Sequence, residues 1–272
     1  MISVLNNVSS LVAENALSST QTNLQSTLQQ LSTGLRINSG ADDPAGLSIA
    51  NGLGANIAAL TQSTQNASNG VGLLQTADGA LSRVTTLLNQ AVSIATEASN
   101  GGLTTAQSTA ADTEFQSIMS EITQIGSTTN FNGSAVFSAT AQTVFTSDGT
   151  TSGTTTTSTT TGALSATSLG LNADVLTSAA AATTALTNLT AAIDTVSASR
   201  GTIGASVNQL TADEGVQSTE VQNLTSAQNN IQNADIGTTV AKMTQYNVLE
   251  QTGMAALSQS NSAQQSVLKL LQ

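Results

Sequence analysis

The chain has 272 residues, with no Cys, His or Trp and a formal net charge of −11. Aromatic residues make up 2% of it, which favours thin cores between long helices over a compact core filled by large rings. The missing Cys and His exclude disulfides and thiolate nucleophiles, and 5 basic residues are too few for a nucleic-acid or anionic membrane surface.

The first predicted helix covers residues 2–35. Leu24, Leu28, Leu31 and Leu35 follow helical steps, and Leu17, Leu24 and Leu31 form a heptad repeat. This period of about 3.5 residues predicts a coiled-coil or bundle seam. From the pattern alone, the seam could be the core of one chain or a surface shared between chains.

A break follows in the stretch GLRINSGADDPAGLSIA, residues 34–50, which holds the single proline of the chain. Its Gly, Asn, Ser and Asp residues are typical of a loop between elements. Asp43 and Pro44 also predict the start of the next helix, because Asp is a good N-cap and Pro suits the first helical position.

The next helix is predicted to be the longest. Alternating steps of four and three from Leu53 to Ala95 reach mostly apolar positions, and Asn100-Gly101-Gly102 ends the pattern. A shorter helix is predicted over 104–127.

A β-hairpin is predicted near 130–145, because Asn132-Gly133 is a strong hairpin signal. Val136-Phe137 and Val144-Phe145 are candidate strands beside it. Residues 146–162 are dominated by Thr and lack apolar residues, so we expect an exposed hairpin or a mobile loop.

A second long heptad helix is predicted from Leu186 to Ile231, and a terminal helix with a weaker seam follows. The apolar seam positions of this terminal helix are Ile236, Val240, Met243, Met254, Leu257, Leu268 and Leu271. The sequence thus predicts a mainly α fold of long antiparallel heptad helices folded back as a rod, with coiled-coil termini and a small central β-hairpin region.

No enzyme is predicted. Without His or Cys, Ser-His-Asp and Cys-His arrangements and HExxH zinc sites cannot form, and no cofactor or metal site is expected. The adjacent carboxylates Asp42-Asp43 and Asp213-Glu214 are better explained by helix caps and solvated faces. No apolar run reaches the length of a membrane span, and no signal-peptide pattern is visible, so we expect a chain that is either cytoplasmic or exported by a route that needs no cleaved signal.

Four motifs resemble bacterial flagellin. They are LSTGLRINSGADDPAGLSIANGL (31–53), TQSTQNASNGVGLLQTADGALS (61–82), TNFNG (129–133) and NNIQNADIGTTVAKMTQYNVLEQTGMAALSQSNSAQQSVLKLLQ (229–272). The resemblance covers about residues 1–135 and 185–272 and leaves the centre unmatched.

The resemblance implies a domain plan. Residues 1–35 and 236–272 are expected to form the coiled-coil inner core of a filament, and 36–52 a spoke segment. Residues 53–137 and 181–235 are expected to form a helical rod domain, and 138–180 a short variable Thr-rich outer tip.

The resemblance also implies roles for single residues. The expected polymerisation core is Leu24, Leu28, Leu31, Leu35, Val240, Met243, Met254, Leu257, Leu268 and Leu271. The expected spoke residues are Arg36, Asp42, Asp43 and Pro44, with Arg36 contacting a carboxylate such as Asp42 or Asp43. Thr154, Thr155, Thr156 and Thr157 are candidate O-glycosylation sites. Gln90 and Val92 stand where many flagellins carry arginines, so we expect weak or no recognition by innate immune receptors.

The implied function is that of a structural subunit which self-assembles into the hollow helical flagellar filament used for motility. The expected location is extracellular, after export of the unfolded chain through the flagellar type III pathway. The implied partners are other copies of the chain, an export chaperone, a cap protein and hook-junction proteins, with no nucleic acid and no membrane. The alternatives are a hook-filament junction protein, present as a ring at the hook, and an extracellular coiled-coil adhesin.

Overall fold

The computed structural model describes residues 7–150 and 154–270, and this part of the chain is mainly helical, as predicted. In chain order the elements are α1 (Val8–Thr33), α2 (Pro44–Ala98), α3 (Thr105–Thr128), β1 (Asn130–Phe131), β2 (Ser134–Ala135), β3 (Gln142–Ser147), β4 (Thr154–Thr159), α4 (Ala179–Gln232) and α5 (Ile236–Leu270). The described strands form two antiparallel pairs, β1 with β2 and β3 with β4.

Local sequence explains where the helices begin and end. α1 ends because Gly34 adopts a left-handed conformation (φ +73°) and its N–H donates back to the Gln30 carbonyl at 2.9 Å. α2 begins at Pro44, and the Asp43 side chain accepts from the Gly46 N–H at 2.9 Å, which confirms the predicted N-cap. α3 begins with a capping box in which Thr104 and Gln107 satisfy each other's backbone N–H groups.

The described chain divides into two compact units. One contains the residues up to Ala55 together with those from Asn223 onward, and so includes α1 and α5. The other contains 56–222, with α3, the two strand pairs and most of α2 and α4.

The second unit holds the main apolar core. The predicted heptad steps are confirmed there, because every second seam position is buried: Leu60, Leu74, Leu81 and Leu88 on α2, and Leu189, Val196, Ile203 and Leu210 on α4. Phe115 and Ile122 of α3 and Leu171 and Leu176 of the segment before α4 complete this core. The core is therefore built mainly from aliphatic side chains of long helices, as expected for a chain with few aromatic residues.

The Thr-rich segment forms a hairpin with its neighbour. β3 pairs with β4 in a register that sets Val144 opposite Thr157, and Val144 packs over Gly70 of α2. Part of the segment is buried, since the side chains of Thr146, Thr157 and Thr161 are almost fully shielded from solvent. The expectation of an exposed hairpin is therefore correct for the strand pairing and wrong for these three side chains. Thr146 and Thr157 pack inward because alternate residues of a strand point to opposite faces, and the Thr161 hydroxyl, beyond β4, donates to the Val136 carbonyl.

The two candidate strand dipeptides have different outcomes. Val144-Phe145 lies in β3, as predicted. Val136-Phe137 follows β2 rather than extending it, and both side chains are buried in the core. Their apolar character reflects this burial instead of strand pairing.

Candidate assembly surface

α1 and α5 pack side by side in opposite directions. Leu17 lies over Gly253, the amide of Gln21 donates to Glu250 at 3.2 Å, and the hydroxyl of Ser10 donates to the Asn261 side-chain oxygen at 3.1 Å. Residues early in α1 therefore meet residues late in α5. The contacts include polar bonds between exposed side chains, which contribute little to stability in water.

The predicted polymerisation residues fall into two groups. Leu24, Leu31, Leu35, Met243 and Leu257 are partly buried. Leu28, Val240 and Met254 are exposed, at 46%, 39% and 50% of their full areas. The Leu268 side chain and all of Leu271 lie outside the described part of the structure. The sequence pattern places all these positions in one seam. In the structure, the first group is partly covered by the protein and the second group faces solvent.

Further apolar side chains of these two helices are also exposed. They are Val8, Leu11, Val12, Ile236, Val248 and Leu249. Among the described side chains of α1 and α5, the buried ones are two threonines, Thr27 and Thr239. Among their described residues, the two helices consequently leave nine large apolar side chains exposed and bury none.

Arg36 does not contact the carboxylates predicted for it. Its guanidinium Nη2 donates to the Ile231 carbonyl at 2.8 Å, and its backbone N–H donates to the Gln232 carbonyl. The neighbouring residue Leu35 forms a β-bridge with Asn233. Arg36 thus binds the last carbonyls of α4, a favourable place for a cation because helix C-termini carry partial negative charge.

The two carboxylates of the spoke segment bind local N–H groups instead. Asp42 accepts from the backbone N–H groups of Asn38 and Ser39 at 3.0 and 2.8 Å, and from the Ser39 hydroxyl. The bond from the Asn38 N–H, followed by those from Ser39, lowers the pKa of Asp42 below its ordinary value. Asp43 caps α2 through Gly46, and Ile37 is buried beside this turn. Both carboxylates thus bind groups within the spoke segment and the start of α2, whereas Arg36 binds the end of α4.

The candidate glycosylation residues have different accessibilities. Thr156 is exposed and Thr157 is buried, so Thr157 is a poor acceptor in this fold. The side chains of Thr154 and Thr155 lie outside the described part of the structure. Glycosylation of the tract remains a prediction.

The residues linked to receptor recognition lie on α2. Gln90 is exposed and donates to Glu114 of α3 at 3.4 Å, while Val92 is partly buried. Weak receptor recognition remains a prediction.

Across the described residues, no group of three His, Cys, Asp or Glu residues could hold a metal ion, and none of the helices has the length and apolar character of a membrane span.

Sequence reasoning missed two polar contacts within the seam between α2 and α4. Arg200 Nε and Nη2 donate to the two carboxylate oxygens of Asp78 at 2.7 and 3.2 Å. Thr64 donates to the Gln217 side-chain oxygen at 3.4 Å. A signal was present, because all four residues occupy polar positions in the two heptad series.

Comparison with known proteins identifies the family. A model described as the bacterial flagellin N-terminal helical region matches residues 4–142, and one described as the C-terminal helical region matches 186–271. A flagellin of Halalkalibacterium halodurans is 33% identical over 248 residues, which are 91% of this chain and 91% of that protein. A flagellin of Serratia marcescens is 41% identical over 140 residues, which are 51% of this chain and 40% of that protein.

A solved structure, the crystal structure of Bacillus cereus flagellin, is also similar. It shares 28% identity and a TM-score of 0.49, covering 56% of this chain and 88% of that one. The matches of both helical regions, and the relative aligned over nearly its whole length, are the decisive findings. The chain belongs to the bacterial flagellin family, the structural subunits of the flagellar filament outside the cell.

Proposed function

We propose that this flagellin assembles by burying the exposed apolar residues of α1 and α5 against neighbouring copies of itself. The observation that supports the proposal is the exposure of Leu28, Val240 and Met254 on two helices whose buried described side chains are threonines. Apolar area removed from water contributes about 25 cal/mol per Å², so covering such side chains favours assembly.

The proposed role of each part of the chain follows the domain plan predicted from the sequence. Residues 1–35 and 236–272 form the inner core of the filament, 36–52 the spoke segment, 53–137 and 181–235 the rod domain, and 138–180 the outer tip. Because a filament needs contacts that repeat without closing into a ring, the covered surfaces on neighbouring copies differ.

The spoke segment has a defined role in this proposal. Arg36, Asp42 and Asp43 fix the path of the chain between α1 and α2 through bonds to backbone groups, and Pro44 occupies the first position of α2. The segment therefore holds the start of α2 in one place while the apolar faces of α1 and α5 bind other copies.

We also propose the route by which the chain reaches the filament. It passes unfolded through the flagellar type III channel, a chaperone shields α5 beforehand, and folding takes place under a cap protein. Filament growth starts from hook-junction proteins. The support from this chain is the absence of Cys, which leaves no disulfide to block an unfolded passage, and the sparse burial on α1 and α5.

The hook-filament junction protein and the adhesin are not favoured. Both helical regions match flagellin models, and a flagellin aligns with 91% of the chain. No feature of the described residues requires either alternative.

A substitution at Met254 tests the proposal. Met254→Asp introduces a charge at a position that is exposed in the separate chain, so we expect little effect on the stability of that chain. In the filament the same position is covered under this proposal, and an unpaired buried charge is strongly unfavourable. We expect the purified variant to keep the helix content of the parent chain by circular dichroism and to form no filaments in negative-stain electron microscopy.

Met254→Leu is the matched control, because it keeps an apolar side chain of similar volume. This variant should form normal filaments. Normal filaments from Met254→Asp would show that α5 does not bind its neighbours through this face.

A further inference from the structure

The hairpin of β3 and β4 has two edges, which differ in whether other parts of the chain bind their backbone groups. On the outer edge of β3, the Phe145 carbonyl accepts from Asn66 at 3.1 Å, and the Ser147 N–H donates to Ser63 Oγ at 2.8 Å. Both partners belong to α2. The side chains of this helix therefore satisfy the edge of β3 and block it against another strand.

The register shows which backbone groups form the other edge. Because Phe145 and Ser147 point their backbone groups toward α2, the alternate residues Val144 and Thr146 form the bonds to β4. Their partners are Thr157 and Thr155. The N–H and C=O groups of Thr154, Thr156 and Ser158 then point away from the sheet, and no third strand of the described chain pairs with them.

This outer edge of β4 lacks the usual protection against pairing. Natural edge strands carry Pro, Lys or a bulge, whereas residues 154–161 contain Thr and Ser alone, and the register has no bulge. Thr has a high strand propensity, and a segment without charge or Pro pairs readily.

The charge distribution favours a second copy of the chain as the occupant. The chain carries a net charge of −11, yet Asp148 is the one charged residue between Glu121 and Asp174. The hairpin itself carries the single charge of Asp148, so its own residues add little to the repulsion between two copies. An edge whose donors and acceptors alternate is also complementary to itself in an antiparallel arrangement.

We infer that the outer edge of β4 pairs with the same edge of a second copy, antiparallel and centred near Thr156. The contact uses backbone groups of the hairpin and no residue of α1 or α5. It is therefore separate from the filament contacts proposed above, and it joins two copies through a two-fold arrangement that filament growth does not use.

A cross-linking experiment tests this pairing. The chain has no Cys, so Thr156→Cys introduces a unique thiol on the exposed face of β4. Combined with Met254→Asp, which removes the filament contact, the full chain should form a disulfide-linked dimer under mild oxidation. We expect a rate about tenfold or more above that of random collision, because pairing raises the effective concentration of the two thiols.

Two matched variants complete the test. Thr190→Cys places a thiol on an exposed position of α4 and measures random collision. Ser158→Pro, added to Thr156→Cys, removes one outward N–H without breaking the bonds to β3 and should slow the cross-linking. Equal rates for Thr156→Cys and Thr190→Cys, or no effect of Ser158→Pro, would overturn the pairing and leave the filament proposal untouched.

Discussion

Asp78 and Arg200 are polar residues in the otherwise apolar seam between α2 and α4. Two bonds join the guanidinium to the carboxylate, and the side chains remain 42% and 37% exposed. Such a pair adds little stability at a solvated position. Its directional bonds hold the two helices in one register, because a shift by a turn would separate the partners.

Asp78→Asn tests this pair. The side-chain bond from Arg200 lowers the pKa of Asp78 below its ordinary value of 3.8. The pair therefore stabilises the fold above pH 3.8, and this contribution is lost as the pH falls through the lowered pKa. We expect the variant to lose about 0.2–1 kcal/mol of unfolding free energy at pH 7.

Urea unfolding at pH 7 and in acid provides the measurement, with Glu97→Gln on the exposed surface of α2 as control. The difference between parent and Asp78→Asn should shrink in acid. A difference of equal size at both pH values would show that ionisation of Asp78 is not its cause.

Gly126 and Gly79 give a second comparison at the scale of single residues. A Cβ on Gly126 would lie 1.8 Å from the Leu164 carbonyl oxygen, whereas a Cβ on Gly79 would meet nothing within 4 Å. We expect Gly126→Ala to destabilise the fold by about 1–3 kcal/mol or more through overpacking. Gly79→Ala should stabilise α2 by about 0.5–1 kcal/mol, because Ala is the better helix former.

Thermal unfolding of the two variants should thus shift in opposite directions. If Gly126→Ala unfolded at the same temperature as the parent chain, the close packing of α3 on Leu164 would be wrong.

At the scale of elements, α1 and α5 differ from α3 in how they are stabilised. α3 buries Phe115, Ile118 and Ile122, but the described side chains of α1 and α5 bury only Thr27 and Thr239. Isolated helices are marginal in water, and most helical stability comes from a buried apolar face. α1 and α5 should therefore open more readily than α3 until other copies cover them.

Hydrogen exchange measures this difference directly. In the separate chain, we expect fast amide exchange in α1 and α5 and slow exchange in α3 and in the buried heptads of α2 and α4. In filaments, α1 and α5 should become protected. Protection of α1 and α5 in the separate chain equal to that of α3 would contradict the proposed role of neighbouring copies.

The heptad pattern predicted the long helices well, because alternating burial along α2 and α4 is a local consequence of helical spacing. Asp43 and Pro44 likewise act through their own backbone neighbours. The bond from Arg36 to Ile231 joins residues far apart in the chain, so no local pattern contains it. The sequence also could not predict that Leu24 and Leu28 differ in exposure. Helical spacing defines an apolar stripe but not the partner that covers it.

At the scale of the whole molecule, charge and apolar surface act in opposite directions. A net charge of −11 per copy opposes assembly, and 5 basic residues cannot offset it through ion pairs between copies. Burial of the exposed apolar residues on α1 and α5 is the attractive term that remains. The central claim is therefore that neighbouring copies cover these residues.

Helical reconstruction of filaments by electron cryo-microscopy tests this claim most directly. The measured quantity is the exposed area of Leu28, Val240 and Met254 within the polymer, compared with their values of 46%, 39% and 50% in the separate chain. We expect all three to be buried by side chains of neighbouring copies. A filament in which they still face solvent would contradict the account.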